Sequence, residues 1–463
     1  MSAAAEPPPG ESARAERTPL RTDPRTLLAL GAGLIFTLWL ASEIEMDIFM
    51  AVVLWVLIAL RTIFAENALI ARGTIIALLV WAIVLPFLQD SGGGFLEDAT
   101  LALAYVVMAL GLNIIVGFAG LLDLGYVAFF ALGALTAGWF MSGFFASAGG
   151  DGVAIGVSGV AANLPGIHMN FLLVLVVAVI VTTIAGMLIG LPTLRLRGDY
   201  IAIVTLAFGE IVGRIVINGD EIKLGKVPLF GGPLESAFGE GSKLTNGRQG
   251  ITPIDKIDLP ASGIGILEPF QSLELRPWYF VALALVLVVL FVNYRLRDSR
   301  LGRAWIALRE DEVAAASMGV PLVKTKLLAY GTGAAFGGLS GVFLASYLNT
   351  VNADQFQFSF SVFVLSMVIL GGLGSIEGVV LGAIVLSFIN NNLIPDVFND
   401  YPSKIGLNFD LTELSFGIFG FLLVIMMVLR PEGLIPERRR KIELTEGIGG
   451  DQDIGSDSLE ARA

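Results

Sequence analysis

The sequence predicts an all-α polytopic integral membrane protein of about 10–12 transmembrane helices, with both termini in the cytoplasm. Three observations carry this. Hydrophobic residues make up 55% of the 463 positions and charged residues only 15%, whereas soluble domains run nearer roughly a quarter charged. Many stretches approach the roughly 20 apolar residues that a bilayer crossing needs, and in hydrocarbon a lone segment satisfies its own backbone polar groups only as a helix. The basic residues gather in alternate connections, as cytoplasmic loops do.

Composition also excludes. With no cysteine, a disulfide framework, a Cys-ligated metal and a thiol nucleophile are ruled out. A single histidine, His168, leaves little proton or metal chemistry, so no catalytic residue and no metal site are expected, and His168 receives no role. The net charge of −12 argues against nucleic acid, whose binding needs a basic face to displace counterions. Residues 1–26, which include "EPPPGESARAERTP", and residues 431–463, which include "GGDQDIGSDSLEARA", read as disordered cytoplasmic tails. The membrane domain lies between them, over 27–430.

Along that domain the apolar runs fall at 27–42, 46–64, 72–89, 98–119, 124–146, 171–194, 198–218, 277–294, 326–348, 359–372, 375–394 and 413–429. Two places fit a broken or re-entrant helix better than a plain crossing: the short run 359–372, and "GFAGLLDLGY" at 117–126, which leaves almost no loop. If both termini are inside, inside segments collect 21 of the 29 basic residues, which supports an even number of crossings. Six of the outside ones fall in one long loop, 219–276, rich in Gly, Pro and Asp. A loop of that length is expected to form a small ordered cap that serves as a binding surface.

The stretch "DSRLGRAWIALREDEVAAASMGVP" at 298–321 opens a cytoplasmic segment, 295–325, and holds seven charged residues between Asp298 and Glu312. Read as one helix from Gly302 to Met318, its apolar residues share a broad side that Asp311 and Glu312 interrupt. Lipid would suit such a helix badly. A groove on another protein suits it better, and a solvated loop helix remains open on physics alone.

These residues resemble the cytoplasmic coupling helix of ABC importer permeases, and in detail the LivM family of branched-chain amino acid importers. Further stretches resemble that family in the same order: "GLNIIVGFAGLLDLGYVAFFALGA" at 111–134, "LRLRGDYIAIVTLAFGEIV" at 194–212, "VFVLSMVILGGLGSIEGVVLGA" at 362–383 and "LRPEGLIP" at 429–436. The resemblance implies a multi-pass permease of a bacterial inner membrane, in contact with membrane lipid. It implies four kinds of subunit: this chain, a second, LivH-like permease forming a heterodimer, two cytoplasmic ATP-binding subunits and a periplasmic amino-acid-binding protein. ATP and Mg would belong to the ATPases, so no cofactor is expected in this chain; it has no GxxxxGK[ST] phosphate loop. By resemblance, Arg303, Arg309, Glu310, Asp311, Glu312 and Gly319 mark the ATPase-docking element, with Ala314 to Ala316 as its close-packing side. The outside loop near Thr245 to Ile254 would meet the binding protein.

A pathway needs polar groups at membrane depth, and these are costly there unless functional. Asn113, Asp123, Thr205, Glu210, Ser366 and Glu377 are the candidates; Glu210 and Arg214, four apart, can pair along a helix. Asp123 departs from the small or uncharged residue expected of the family. Two glycine-rich regions, around Gly111 to Gly133 and Gly371 to Gly382, allow backbones to approach closely. The alternatives are the related permease for urea or short-chain amides and an ion-driven secondary transporter, which would leave the charged segment without a purpose.

Overall fold

The computed structural model describes residues 68–88, 94–146, 153–157, 163–193, 196, 198–227, 231–238, 241–257, 270, 274–398, 414–429 and 433–435, with scattered positions before residue 57. The tails, most of the first two apolar runs, and parts of the long loop lie outside these residues. The chain divides into two compact units, Met1–Asp90 and Ser91–Ala463. The first holds helix α1, Ala68–Leu88.

In the second unit every apolar run contains a helix. α2 (Gly94–Leu112) continues into a π-helical turn, Asn113–Phe118. α3 (Val127–Phe140), α4 (Phe171–Thr193) and α5 (Asp199–Ile217) follow. A short helix α6 (Gly231–Phe238) lies in the long loop. α7 (Arg276–Asp298) leads to the small helices α8 (Arg300–Glu310) and α9 (Glu312–Ser317), then to α10 (Leu322–Tyr347). α11 (Phe358–Gly371), α12 (Ile376–Phe388, extended by a π-helical stretch to Phe398) and α13 (Ser415–Leu429) complete it. Six of the described helices are long and apolar enough to cross a membrane, and four further apolar helices are shorter.

The short ones explain the architecture. α3 and α11 have 14 residues each, about 21 Å at 1.5 Å per residue, well below the roughly 30 Å hydrocarbon core. The run read as a crossing at 124–146 is therefore corrected: its first residues are not helical. Residues 119–126 instead form an irregular strip packed on α5, where Gly125 lies against the backbone of Thr205 and Gly209. The strip is completed by protein groups, one of the two settings, with a water-filled cavity, in which non-helical backbone is tolerated at membrane depth. Leu124 N–H donates to Thr205 Oγ1 at 3.1 Å, and Val127 N–H to Ser361 Oγ of α11 at 3.0 Å.

α10 is the hub, packed on α4, α3 and α2. Its sequence "GTGAAFGGLSG" supplies small residues where neighbours cross. A Cβ on Gly133 of α3 would overlap the Gly338 carbonyl of α10, and one on Gly338 would overlap Thr182 of α4. Association in lipid gains no hydrophobic drive, so such close approach carries the packing. Away from the hub, the strip "GLI" at 433–435 turns back on α11: Leu434 N–H donates to Leu370 O at 2.8 Å and Ile435 N–H to Gly371 O at 3.1 Å.

The end opposite α8 and α9 carries a small layer built by the connection between α3 and α4. Three short strands, β1 (Met141–Ser142), β2 (Val153–Ile155) and β3 (Ile167–Met169), form a sheet in the order β1-β3-β2. Met141 pairs with His168 antiparallel and Val153 with Ile167 parallel. The long loop is tied to this layer: Trp139 Nε1 donates to Leu244 O at 2.9 Å, and Ile251 bridges Val351. His168, given no role above, has one in structure. Its Nδ1 lies 2.6 Å from Asp255 Oδ2, with His168 only 1% exposed. Burial raises the Asp255 pKa, and the histidine opposes that shift.

The glycine crossing gives a direct test. Gly133→Leu forces a side chain into the α3–α10 contact, and overpacking costs about 1–3 kcal/mol or more. Thermal unfolding of the purified complex should show a clearly lowered Tm, while Gly73→Leu, with open space around it, should leave Tm near wild type.

Candidate coupling and pathway sites

The charged segment folds as two helices, which corrects the single helix expected from Gly302 to Met318. The break is at Asp311, whose backbone is extended at φ −154°, ψ 114°. Aspartate is a strong N-cap because its carboxylate accepts from otherwise orphaned amides. Asp311 Oδ1 takes Val313 N–H at 2.7 Å and Ala314 N–H at 2.9 Å. Ser299 does the same for α8, accepting from Gly302 N–H at 3.1 Å. Gly319, at φ +85°, ends α9 as its sequence position predicted: Gly319 N–H reaches Ala316 O and Val320 N–H reaches Ala315 O.

Both helices are bolted to the membrane helices. Trp305 is fully buried, and its Nε1 donates to Thr325 O of α10 at 2.9 Å. Arg309 Nη1 donates to Gly117 O, in the π turn of α2, at 2.7 Å; Gly120, at φ +68°, leaves room for its side-chain stem. Lys326 Nζ of α10 lies 2.8 Å from Glu312 Oε1, with side chains 3% and 27% exposed. Glu312 is thus engaged within the chain. Arg303 folds back onto Asp298 O at 2.8 Å, on the exposed side. Glu310 and Asp311 are exposed, as are Ala314 and Ala316, while Ala315 is buried. Beside them Val313 is 62% exposed and Met318 86%.

The pathway candidates do not gather at one point. Asn113, in the π turn, accepts from Gly374 N–H at 3.0 Å, and its amide nitrogen lacks a partner. Asp123 is 2% exposed in the irregular strip, where one carboxylate oxygen accepts from Gly125 N–H at 2.8 Å and the other lacks a partner. Thr205 holds that strip through Leu124. Ser366 is spent on its own helix, donating to Val362 O at 2.8 Å. Glu377 is exposed in the first turn of α12, where an acidic side chain suits the helix dipole. Glu210 is exposed on α5 and shares an open cavity with Arg214, Arg248 and Asp354. The expected Glu210–Arg214 pair is absent among the described ion pairs. Sequence reasoning missed Trp305, Lys326 and the His168–Asp255 pair.

The family model for the permease component of branched-chain amino acid transport systems matches residues 94–427. The chain belongs to that family. It is similar to the high-affinity branched-chain amino acid transport system permease protein LivM of Salmonella typhimurium, 37% identical over 81% of this chain and 77% of that protein, with the same figures for LivM of Escherichia coli. It is also 27% identical to LivH of Escherichia coli, over 31% of this chain and 46% of that protein. No solved structure matches it. As a branched-chain amino acid permease of the LivM family it is a transport subunit, multi-pass in the bacterial inner membrane. Its similarity to LivM and LivH implies a pair of permeases.

The internal ion pair predicts a specific phenotype. Glu312→Gln removes the partner of the buried Lys326 charge, so amide hydrogen exchange over 311–320 should speed up severalfold. The swap Glu312→Lys with Lys326→Glu should restore part of the protection, and equal exchange in all three forms would show that the pair does not hold α9.

Proposed function

We propose that this permease is one half of the membrane pathway of an ATP-driven importer for leucine, isoleucine and valine. Its α8–α9 element is the face on which a cytoplasmic ATPase docks. A second, LivH-like permease forms the other half, and a periplasmic amino-acid-binding protein delivers substrate to the cap around Thr245 to Ile254. ATP and Mg are bound by the two ATPase subunits.

A single observation supports the docking assignment: α9 exposes Val313 and Met318 beside Ala314 and Ala316 on a segment too charged to lie in lipid. Small and flexible apolar groups on a rigid mount suit a protein groove. Arg303, Glu310 and Asp311 are exposed on the same element, and in docking they set the register. Approach of the two ATPases pushes α8 and α9; the Arg309 link carries the push to α2, and the Glu312–Lys326 and Trp305 links carry it to α10. The pathway then turns from inward to outward access.

Proteoliposomes containing the full set of subunits should take up radiolabelled leucine, and not urea, when ATP is inside the compartment that holds the ATPases. Uptake driven by an ion gradient without ATP would overturn the proposal. Met318→Glu, at a site that contributes no core packing, should reduce ATPase co-purification and leucine uptake at least about tenfold, as expected for loss of a central contact in a small interface.

A further inference from the structure

Glu210 and Arg214 lie within the apolar span of α5, Tyr200–Ile217, and both are exposed. Among the described residues no hydrogen bond or ion pair engages either side chain. Lipid is a poor solvent for such groups, and ionisable residues inside spans mark water-filled or protein-lined paths. This face of α5 therefore meets water or polar partners.

The two side chains line a cavity of about 410 Å³ between the outer half of α5 and the segment that leads into α11. That volume falls within the roughly 300–1,000 Å³ of small-molecule sites. Arg248, from the long loop, and Asp354 complete the charged lining, and Phe356 and Phe358 form an apolar wall. Two carboxylates and two guanidiniums face one space. A simple anion or a simple cation would meet as much repulsion as attraction there, and an uncharged amide could hydrogen-bond to these groups but would gain no charge–charge attraction from any of them.

We infer that this groove holds a zwitterionic, apolar α-amino acid on its way through the permease. Glu210 and Asp354 face the ammonium group, Arg214 and Arg248 face the carboxylate, and the aliphatic side chain lies against Phe356 and Phe358. Bidentate geometry suits guanidinium to carboxylate. The inference rests on the transport function proposed above and names the subsite and the features of the substrate that it reads. It also separates an amino-acid permease from a urea or amide permease by the chemistry of one groove.

The chain's lack of cysteine makes a clean test. Ser359 lines the same cavity, so Ser359→Cys in the complete transporter can be modified by a methanethiosulfonate reagent. Leucine should slow that modification severalfold; 4-methylpentanoate, which lacks the ammonium, and isoamylamine, which lacks the carboxylate, should not. Adding Glu210→Gln or Arg214→Gln should raise the leucine concentration for half-protection about tenfold or more, as loss of a charge-assisted hydrogen bond does. Labelling is read on the assembled complex; where a glutamine variant does not assemble, Glu210→Asp and Arg214→Lys take its place and should give a smaller rise. No protection by leucine, protection by either analogue equal to that by leucine, or unchanged half-protection in the variants overturns the groove assignment. ATP-driven leucine uptake by the unmutated transporter is measured beside it: uptake without protection removes only the groove, and absence of uptake removes the transport reading and the groove together.

Discussion

Non-helical backbone at membrane depth persists only where it is buried in protein or lines a water-filled cavity, because lipid cannot complete its hydrogen bonds. Residues 119–126 impose that constraint on everything around them. Thr205 of α5 accepts one of the strip's amides and Asp123 folds back to accept another, Ser361 of α11 accepts that of Val127 just beyond it, and Asn113 performs the same service for Gly374. The acceptors come from the strip itself and from α2, α5 and α11, so the order of packing around the strip has little freedom. The tight glycine crossings at α10 follow from the same need, since helices that must reach one strip must also approach one another.

The polar candidates divide according to this constraint. Asn113, Asp123 and Thr205 are inward-facing carpentry, each placed against backbone that would otherwise be orphaned. Ser366 answers only its own helix. Glu210 stands apart, exposed beside a second pair of charges in an open cavity, and Glu377 is exposed at a helix start. A buried polar residue in a span and an exposed one look alike in sequence, yet the first is placed against backbone and the second faces open space.

Much of the fold was legible in the sequence. The ten apolar runs from residue 72 onward all correspond to helices, because span length and backbone satisfaction are properties of a single segment. The broken region at 117–126 was readable from its missing loop, and the shortness of α11 from its length. The end of α9 was readable because Gly319 followed by Pro321 stops a helix locally. The break at Asp311 was not read, since an aspartate on an apolar side looks like an interruption of a helix until its carboxylate is seen capping the next. The Glu312–Lys326 pair and the His168–Asp255 pair join residues far apart in sequence, on elements whose mutual placement only the packing decides. Trp305 read as one more apolar residue, and its indole N–H found a backbone carbonyl across the turn.

The α8–α9 element is held at separate points on two helices: at Gly117 of α2 through Arg309, and at Thr325 and Lys326 of α10 through Trp305 and Glu312. Further along, α2 and α10 themselves meet where Gly111 approaches the Gly333 carbonyl. A stiff bar fixed to two rods that cross at a contact behaves as the handle of a pair of shears. Sideways load on the handle becomes rotation of the rods about that crossing, which acts as a fulcrum. A displacement at the charged end would then return with opposite sign at the far end, so that closing one mouth opens the other without any helix having to slide along its axis.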